Sequence, residues 1–150
     1  SLVGRMSDHY FPNTIGHPLE SALAVGQLIF DGYLEKFAKL KVCIAHGGGP
    51  ACYAMGRLDR AWHGRPEARA TPKPPSAYQK KLYYDTVVGS EEALRFLLDQ
   101  VGADRVVLGS DWPFVPFKPS PGGWVQAMQS LTQEEKDKIL WKNLESLLGL

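Results

Sequence analysis

An apolar run that leads into a histidine and three glycines sets the architecture of this chain: VCIAHGGGP at residues 42–50. A second stretch, VVLGSDWPF at residues 106–114, follows the same plan and leads into Asp111. Each pattern predicts a short buried strand with an ionisable side chain at its carboxyl end. In parallel α/β folds, catalytic groups and metal ligands gather at that end of the strands. His46 and Asp111 therefore indicate metal-assisted chemistry rather than simple binding.

The composition is that of a globular protein. The chain has 150 residues, 44% of them apolar and 22% charged, and its net charge is +1. This length suits one domain with a sizeable core, and the near-neutral charge argues against nucleic acid or a membrane surface as a partner. Without a membrane-spanning run or a signal-peptide pattern, we expect a cytoplasmic protein. Cys43 and Cys52 are expected to be reduced packing residues in buried positions.

The chain is predicted to contain an extended start, a helix and three strand-then-helix units. We expect the extended stretch at residues 1–16 and the helix from Pro18 to Lys39. The strands are expected at 41–45, 82–86 and 105–109, with helices at 50–62, at 91–101 and after residue 132. Apolar strands that alternate with helices predict a parallel sheet covered on both faces. Three strands cannot close an eight-stranded barrel, so both an open three-layer domain and part of a (β/α)8 barrel agree with the residues.

Capping patterns predict where several helices begin and end. Ser90 precedes two glutamates and is expected to cap the helix at 91–101, which Gly102 is expected to end. A serine or threonine followed three residues later by glutamine or glutamate predicts a capping box. Two such pairs are present, Ser76 with Gln79 and Thr132 with Glu135.

His46 is the first candidate for chemistry. A neutral imidazole at the end of a strand can exchange a proton near neutral pH or bind a metal. The glycines after it let the backbone turn sharply and approach a ligand. The alternative is a buried histidine hydrogen-bonded to the backbone, with the glycines forming a simple strand-to-helix turn. A phosphate-binding loop is excluded, because its glycine spacing and its lysine are both missing.

Two carboxylates and one arginine are the next candidates. Asp111 can ligate a divalent ion, or it can cap the turn that follows it. Asp85 ends the middle strand, where a functional role and a buried hydrogen-bonding role are both open. Arg57 can hold a substrate carboxylate, or it can form a surface ion pair with Asp59 or Glu67.

Trp112 and Phe114 are the aromatic candidates. They can wall a pocket for a planar substrate or pack as core aromatics. The other histidines are weaker candidates: His17 is expected at the N-cap of a helix, and His9 and His63 are expected on the surface.

Four blocks, in this order and spacing, resemble the decarboxylase branch of the amidohydrolase superfamily, the aminocarboxymuconate semialdehyde decarboxylase-like family. The resemblance runs from about Arg5 to Leu150, and the blocks are AHGGG at 45–49, GRLDRAW at 56–62, YYDT at 83–86 and GADRVVLGSDWPF at 102–114. It implies that residues 1–150 are the C-terminal portion of one (β/α)8 barrel domain, about its last three strand–helix units.

The resemblance also implies roles for site residues. It implies that Asp111 is a metal ligand on the final strand and that His46 is the catalytic acid/base beside the metal. It implies that Arg57 reaches a substrate carboxylate, and we add Trp112 and Phe114 as substrate-binding residues. The implied cofactor is a divalent metal, zinc ahead of manganese. The family's paired histidines on its first strand and its metal-binding histidine on the fifth have no counterpart among the four histidines here.

The leading functional prediction is a metal-dependent non-oxidative decarboxylase of a small unsaturated or aromatic carboxylic acid, of which this chain is a partial barrel. A metal-dependent lactone or amide hydrolase, or a hydratase, on the same site is the alternative enzyme. A truncated, catalytically inert fragment or scaffold is the alternative of another class. The expected partners are a small carboxylate substrate and further copies of the chain, in a homodimer or higher homo-oligomer.

Overall fold

The computed structural model describes residues 3–114 and 118–150. Its contacts divide into two compact units. The first comprises the residues up to Leu40 together with Gly48–Tyr78, and the second comprises Lys41–Gly47 and Gln79–Leu150. That residues 1–150 are a portion of a single barrel domain stays a prediction.

The first unit begins with helical turns rather than an extended chain. A 3-10 turn covers Val3–Arg5, and a π-helical turn at Pro12–Gly16 runs directly into helix α1, His17–Phe30. Pro18 lies in the first turn of α1, but His17 before it is not an N-cap as predicted, because the π-helical turn continues directly into α1 and the backbones of Gly16 and His17 are already helical. The predicted extended stretch at residues 1–16 is therefore wrong over the described residues, because Pro12 opens a helical turn.

The predicted unbroken helix to Lys39 is also wrong. α1 ends at Phe30, and Gly32 adopts a left-handed backbone with φ 73° before helix α2, Tyr33–Lys36. An α-helix cannot continue through a residue of that conformation, and glycine adopts it at no steric cost.

Helix α3, Ala51–Gly64, follows the glycine-rich turn, and a 3-10 turn at Pro66–Ala68 and helix α4, Ser76–Gln79, complete this unit's secondary structure. The backbone N–H of Ser76 donates to Oδ1 of Asp59 at 2.9 Å, so a carboxylate from α3 satisfies the first amide of α4. The indole Nε1–H of Trp62 donates to the carbonyl of Thr71 at 3.0 Å and closes the intervening loop.

The second unit contains a three-stranded parallel sheet, as predicted. Its strands are β1 (Cys43–Ile44), β2 (Tyr83–Asp85) and β3 (Val106–Val107), in the order β1-β2-β3. Ile44, Tyr84 and Val106 stand opposite one another across the three strands and are all buried. Neighbouring side chains on a strand point to opposite faces, and Cys43, beside Ile44, is exposed. The expectation of a buried Cys43 is therefore wrong, whereas Cys52 is buried as predicted.

Helix α5, Glu91–Val101, connects β2 to β3. The Ser90 hydroxyl accepts the N–H of Ala93 at 3.2 Å, and Gly102 ends the helix with φ 88°, which confirms both predicted caps. The buried face of α5 consists of leucine and valine at helical spacing: Leu94, Leu97, Leu98 and Val101.

The C-terminal region is helical and is tied to the sheet. Helix α6 is Pro121–Ala127, and a continuous run then joins α7 (Gln133–Asp137), a π-helical turn (Lys138–Lys142) and α8 (Asn143–Leu148). The capping box of Thr132 and Glu135 is present at α7 as predicted. The Asn143 amide donates to the carbonyls of Ala103 at 2.6 Å and Val106 at 2.7 Å, anchoring this region to β3. Within residues 3–114 and 118–150, no helix combines the length and apolarity needed to cross a membrane.

Candidate active site

His46 and Asp111 lie at one edge of the sheet. β1 and β3 run parallel on either side of β2, so the residues that follow them emerge together at the carboxyl edge. Neighbouring strands lie about 4.8 Å apart, which separates the ends of β1 and β3 by roughly 10 Å. Both residues have left-handed backbones, with φ 58° at His46 and φ 56° at Asp111. Non-glycine residues seldom adopt this conformation, and they concentrate at functional sites when they do.

The turn that carries His46 is held by the carboxylate of Asp85. Oδ1 of Asp85 accepts the backbone N–H of Gly47 at 2.8 Å and that of Val87 at 3.0 Å. Gly47 itself has φ 57°, and a Cβ at this position would lie 2.4 Å from Cγ1 of Val88. Only glycine fits there, so the first of the three glycines is required by geometry as well as by backbone conformation.

Burial and hydrogen bonding act against each other at Asp85. Burial raises the pKa of its carboxyl group, whereas hydrogen bonds from the amides of Gly47, Val87 and His46, and the charge of His46, lower it. Burial is the larger effect, and the pKa lies above its ordinary value. The structure shows the hydrogen-bonding role that the sequence left open for Asp85, and a functional role stays a prediction.

The loop that carries Asp111 is held by Thr86, the residue that follows Asp85. The Thr86 side chain is 1% exposed. Its Oγ1 accepts the N–H of Gly109 at 3.0 Å and donates to the Gly109 carbonyl at 3.3 Å. A Cβ on Gly109 would lie 2.9 Å from both the Asp85 and Val87 side chains. Sequence reasoning missed Thr86, although a threonine directly after the candidate Asp85 at a strand end was the available indication.

Among the described residues, which leave out 115–117, the Asp111 carboxylate makes no hydrogen bond to the turn that follows it. The turn is closed by the Asp111 backbone carbonyl, which accepts the N–H of Phe114 at 2.8 Å. The hydroxyl of Ser110, not the Asp111 carboxylate, accepts the N–H of Trp112 at 3.2 Å. Trp112 is 85% exposed and Phe114 56% exposed, so neither is a core aromatic. Their predicted role in binding substrate stays a prediction.

Arg57 lies on α3, in the first unit, and is exposed. No ion pair or hydrogen bond joins its guanidinium to the part of the chain that the structure describes. Asp59, one of its expected partners, instead accepts the Ser76 amide. The predicted surface ion pair is thus not formed among those residues, and the predicted role of Arg57 toward a substrate carboxylate stays a prediction.

The described residues do not form a complete metal site. Across residues 3–114 and 118–150, no group of three or more His, Cys, Asp or Glu side chains is placed to hold a metal ion. A catalytic zinc takes three protein ligands and a water, and hard divalent ions need several oxygen donors. Asp111 could contribute one carboxylate, so a metal would need most of its ligands from elsewhere.

Comparison with known proteins identifies the class. The chain matches the amidohydrolase family model over residues 4–150 and belongs to that family, as the four sequence blocks predicted. It is 35% identical over 153 residues to 2-amino-3-carboxymuconate-6-semialdehyde decarboxylase of Dictyostelium discoideum. It is 28% identical over 138 residues to gamma-resorcylate decarboxylase of Polaromonas sp.. The relatives are decarboxylases, so the family is one of enzymes.

Solved structures agree with this assignment. The chain superposes on 5-carboxyvanillate decarboxylase from Sphingomonas paucimobilis with a TM-score of 0.83, over 98% of this chain and 45% of that one, at 21% identity, which supports the fold alone. The TM-score is 0.77 against a dihydroxybenzoic acid decarboxylase from Polaromonas sp. JS666, over 89% of this chain and 41% of that one, at 27% identity; that enzyme was solved with manganese and the inhibitor 2-nitroresorcinol.

The chain spans less than half the length of these relatives. The alignments cover 99% of this chain but 43% of the Dictyostelium discoideum enzyme, and 87% of this chain but 41% of the Polaromonas sp. enzyme.

Proposed function

We propose that this chain supplies part of the active site of a non-oxidative decarboxylase that acts on a small unsaturated or aromatic carboxylic acid. The observation that carries the proposal is His46, held in a left-handed turn at the carboxyl edge of a parallel sheet by the half-buried Asp85. The 35% identity to a decarboxylase over nearly the full chain supports the same reaction class.

Decarboxylation requires a proton at the carbon atom that loses the carboxyl group. When the bond between the carboxyl group and the carbon that bears it breaks, the electron pair of the bond remains on the bearing carbon and CO2 leaves. A proton must then reach, or already have reached, the carbon, so that the carboxylate and one proton become CO2 and the product C–H bond. An imidazole that exchanges protons near neutral pH is suited to this transfer, and His46 is our candidate for the general acid.

Arg57, Trp112 and Phe114 are proposed to bind the substrate. A guanidinium pairs with a carboxylate in two parallel hydrogen bonds, and aromatic side chains pack against planar unsaturated groups. All three are exposed and therefore accessible to a ligand.

Asp111 is proposed as one ligand of a divalent metal. The manganese in the related dihydroxybenzoic acid decarboxylase supports manganese, and the zinc that the family resemblance implies stays the alternative. Because the described residues lack the other ligands, the steps proposed above involve only this chain's own side chains.

We further propose that the three parallel strands are part of a (β/α)8 barrel. The similarity to decarboxylases more than twice as long, over 98% of this chain in one structure, supports this interpretation. Eight strands are needed to close such a barrel. The homo-oligomer and the cytoplasmic location stay predictions.

Product analysis tests the proposal. The natural protein that carries this sequence is incubated with 2-amino-3-carboxymuconate-6-semialdehyde and, separately, with 2,6-dihydroxybenzoate. We expect CO2 release in equal amount to a product that has lost one carboxyl group, measured by CO2 trapping and mass spectrometry. A product that has gained water without CO2 release would favour the hydrolase or hydratase. Absence of any product with related unsaturated and aromatic acids would favour the inert scaffold.

A further inference from the structure

The middle strand holds the loops on both of its sides. Asp85, the last residue of β2, binds the backbone of the turn after β1 through Gly47 at 2.8 Å. Thr86, the next residue, binds the backbone of the loop after β3 through Gly109 at 3.0 and 3.3 Å. The two candidate groups, His46 and Asp111, lie one residue before Gly47 and two residues after Gly109.

We propose that Asp85 and Thr86 are positioning residues that fix the spacing and orientation of His46 and Asp111 for the reaction. This inference rests on the proposed function, since it assigns the two residues a role in that same site. Neither residue is proposed to touch the substrate, and each acts through the backbone of a neighbouring loop.

The sheet alone does not hold these loops in register. The strand pairing ends at Ile44 with Tyr84 and at Asp85 with Val107, before either loop begins. Beyond those pairs, hydrogen bonds from the side chains of β2 and its following residue continue the connection across all three strands. A left-handed backbone at a histidine or an aspartate persists only when surrounding contacts determine it, and Asp85 and Thr86 provide such contacts next to both.

The close packing around these hydrogen bonds leaves little freedom. Gly47 fits against Val88, and Gly109 fits against Asp85 and Val87, so tightly that neither has room for a Cβ. A loop held by a hydrogen bond on one side and by such contact on the other can shift little. Small displacements of a reacting group reduce rates by about 100-fold, which is the scale of effect expected when the hydrogen bonds are removed.

Paired variants of the natural protein test the proposal. Thr86→Val removes the hydroxyl at nearly constant volume, and Thr86→Ser keeps it. Asp85→Ala removes the acceptor, and Asp85→Asn keeps Oδ1, the atom that accepts both amides. We expect kcat to fall about 100-fold in Thr86→Val and Asp85→Ala, with little change in KM. Thr86→Ser and Asp85→Asn are expected to keep most of the natural kcat. Thr71→Val is the control, because Thr71 is a buried threonine whose hydroxyl donates to Lys73 in the first unit.

A second readout does not depend on turnover. In protein labelled at histidine, the NMR signals of the His46 ring, assigned with His46→Gln, are expected to shift in Asp85→Ala and to stay in place in Thr71→Val. If Asp85→Ala does not fold, the comparison of Thr86→Val with Thr86→Ser gives the answer.

The two proposals fail in different ways. A natural protein that releases no CO2 contradicts the proposed function, whereas the ring signals still report on positioning. Turnover in the natural protein, with kcat of Thr86→Val and Asp85→Ala equal to that of Thr71→Val and unmoved ring signals, would overturn the positioning role.

Discussion

The carboxylate of Asp85 accepts the backbone N–H of Gly47 at 2.8 Å and so holds the turn on which His46 stands. The Asp85 carboxylate is half-buried, and this burial disfavours its charged form and raises its pKa.

Gly47→Ala is expected to destabilise the protein by more than about 2 kcal/mol, because a Cβ would both strain the left-handed backbone and meet Val88 at 2.4 Å. Gly89→Ala tests strain alone, since Gly89 has φ 84° but no atom within 4 Å of a Cβ, and about 1 kcal/mol is expected. Gly56→Ala, in α3 with open space around it, is expected to stabilise by up to about 1 kcal/mol. Urea unfolding gives all three values, and an equal effect at Gly47 and Gly89 would contradict the contact with Val88.

At His46 and Asp111, the left-handed backbone should reverse the usual order of stability of alanine and glycine variants. At both positions the glycine variant is expected to be more stable than the alanine variant by about 1 kcal/mol, because alanine adopts positive φ only with strain. At Arg57, which is exposed in α3, the alanine variant is expected to be more stable than the glycine variant by about 1 kcal/mol. Thermal or urea unfolding of the six variants measures the order, and alanine above glycine at His46 would show that its φ is not positive.

Asp111→Asn is expected to lower the metal content of the natural protein, because a neutral amide is a weaker ligand for a divalent ion than a carboxylate. Asp104→Asn is the matched control, since Asp104 is exposed and pairs with Lys138. Elemental analysis after dialysis against manganese measures the metal bound per chain. Equal metal content in the two variants would rule out Asp111 as a ligand.

The capping box of α7 should give a pH-dependent contribution to stability. Burial raises the pKa of Glu135, but hydrogen bonds from Thr132 and the Arg95 guanidinium outweigh it, so that the pKa lies below its ordinary value of 4.5. A carboxyl group with a lowered pKa in the folded state stabilises above its unfolded pKa, and that contribution is lost as the pH falls through the folded pKa. Glu135→Gln should therefore be less stable than the natural protein near neutral pH, and the difference should shrink below about pH 4.5.

Urea unfolding at several pH values measures the Glu135 effect. Glu134→Gln serves as the control, because Glu134 is an exposed neighbour that pairs with Lys138 on the same helix. Thr132→Ala, which removes the other half of the box, is expected to cost about 1 kcal/mol. A Glu135→Gln difference that stays constant down to low pH would contradict the lowered pKa.

Local features of this fold could be predicted from the sequence. Ser90 and Thr132 cap their helices by accepting the backbone N–H of the residue three positions later. The apolar runs before His46 and Asp111 form parallel strands as expected. Such features depend on neighbouring residues, which the sequence displays directly.

Features that depend on distant residues could not be predicted. Ser76 receives its cap from Asp59, 17 residues earlier, rather than from Gln79. Thr86 holds the backbone of Gly109, which lies 23 residues later in the chain, and the residues next to Thr86 give no sign of this contact. The positions of His46 and Asp111 at strand ends could be predicted from the residues before them, and their chemistry stays a prediction.

The role of His46 in decarboxylation can be measured by comparing two histidine variants of the natural protein. His46→Gln removes the proposed general acid, and His63→Gln changes an exposed histidine at the end of α3. CO2 release from the carboxylic acid substrate is expected to fall by about 100-fold or more in His46→Gln and to remain at the natural rate in His63→Gln. CO2 release at the natural rate in a folded His46→Gln would contradict the assignment.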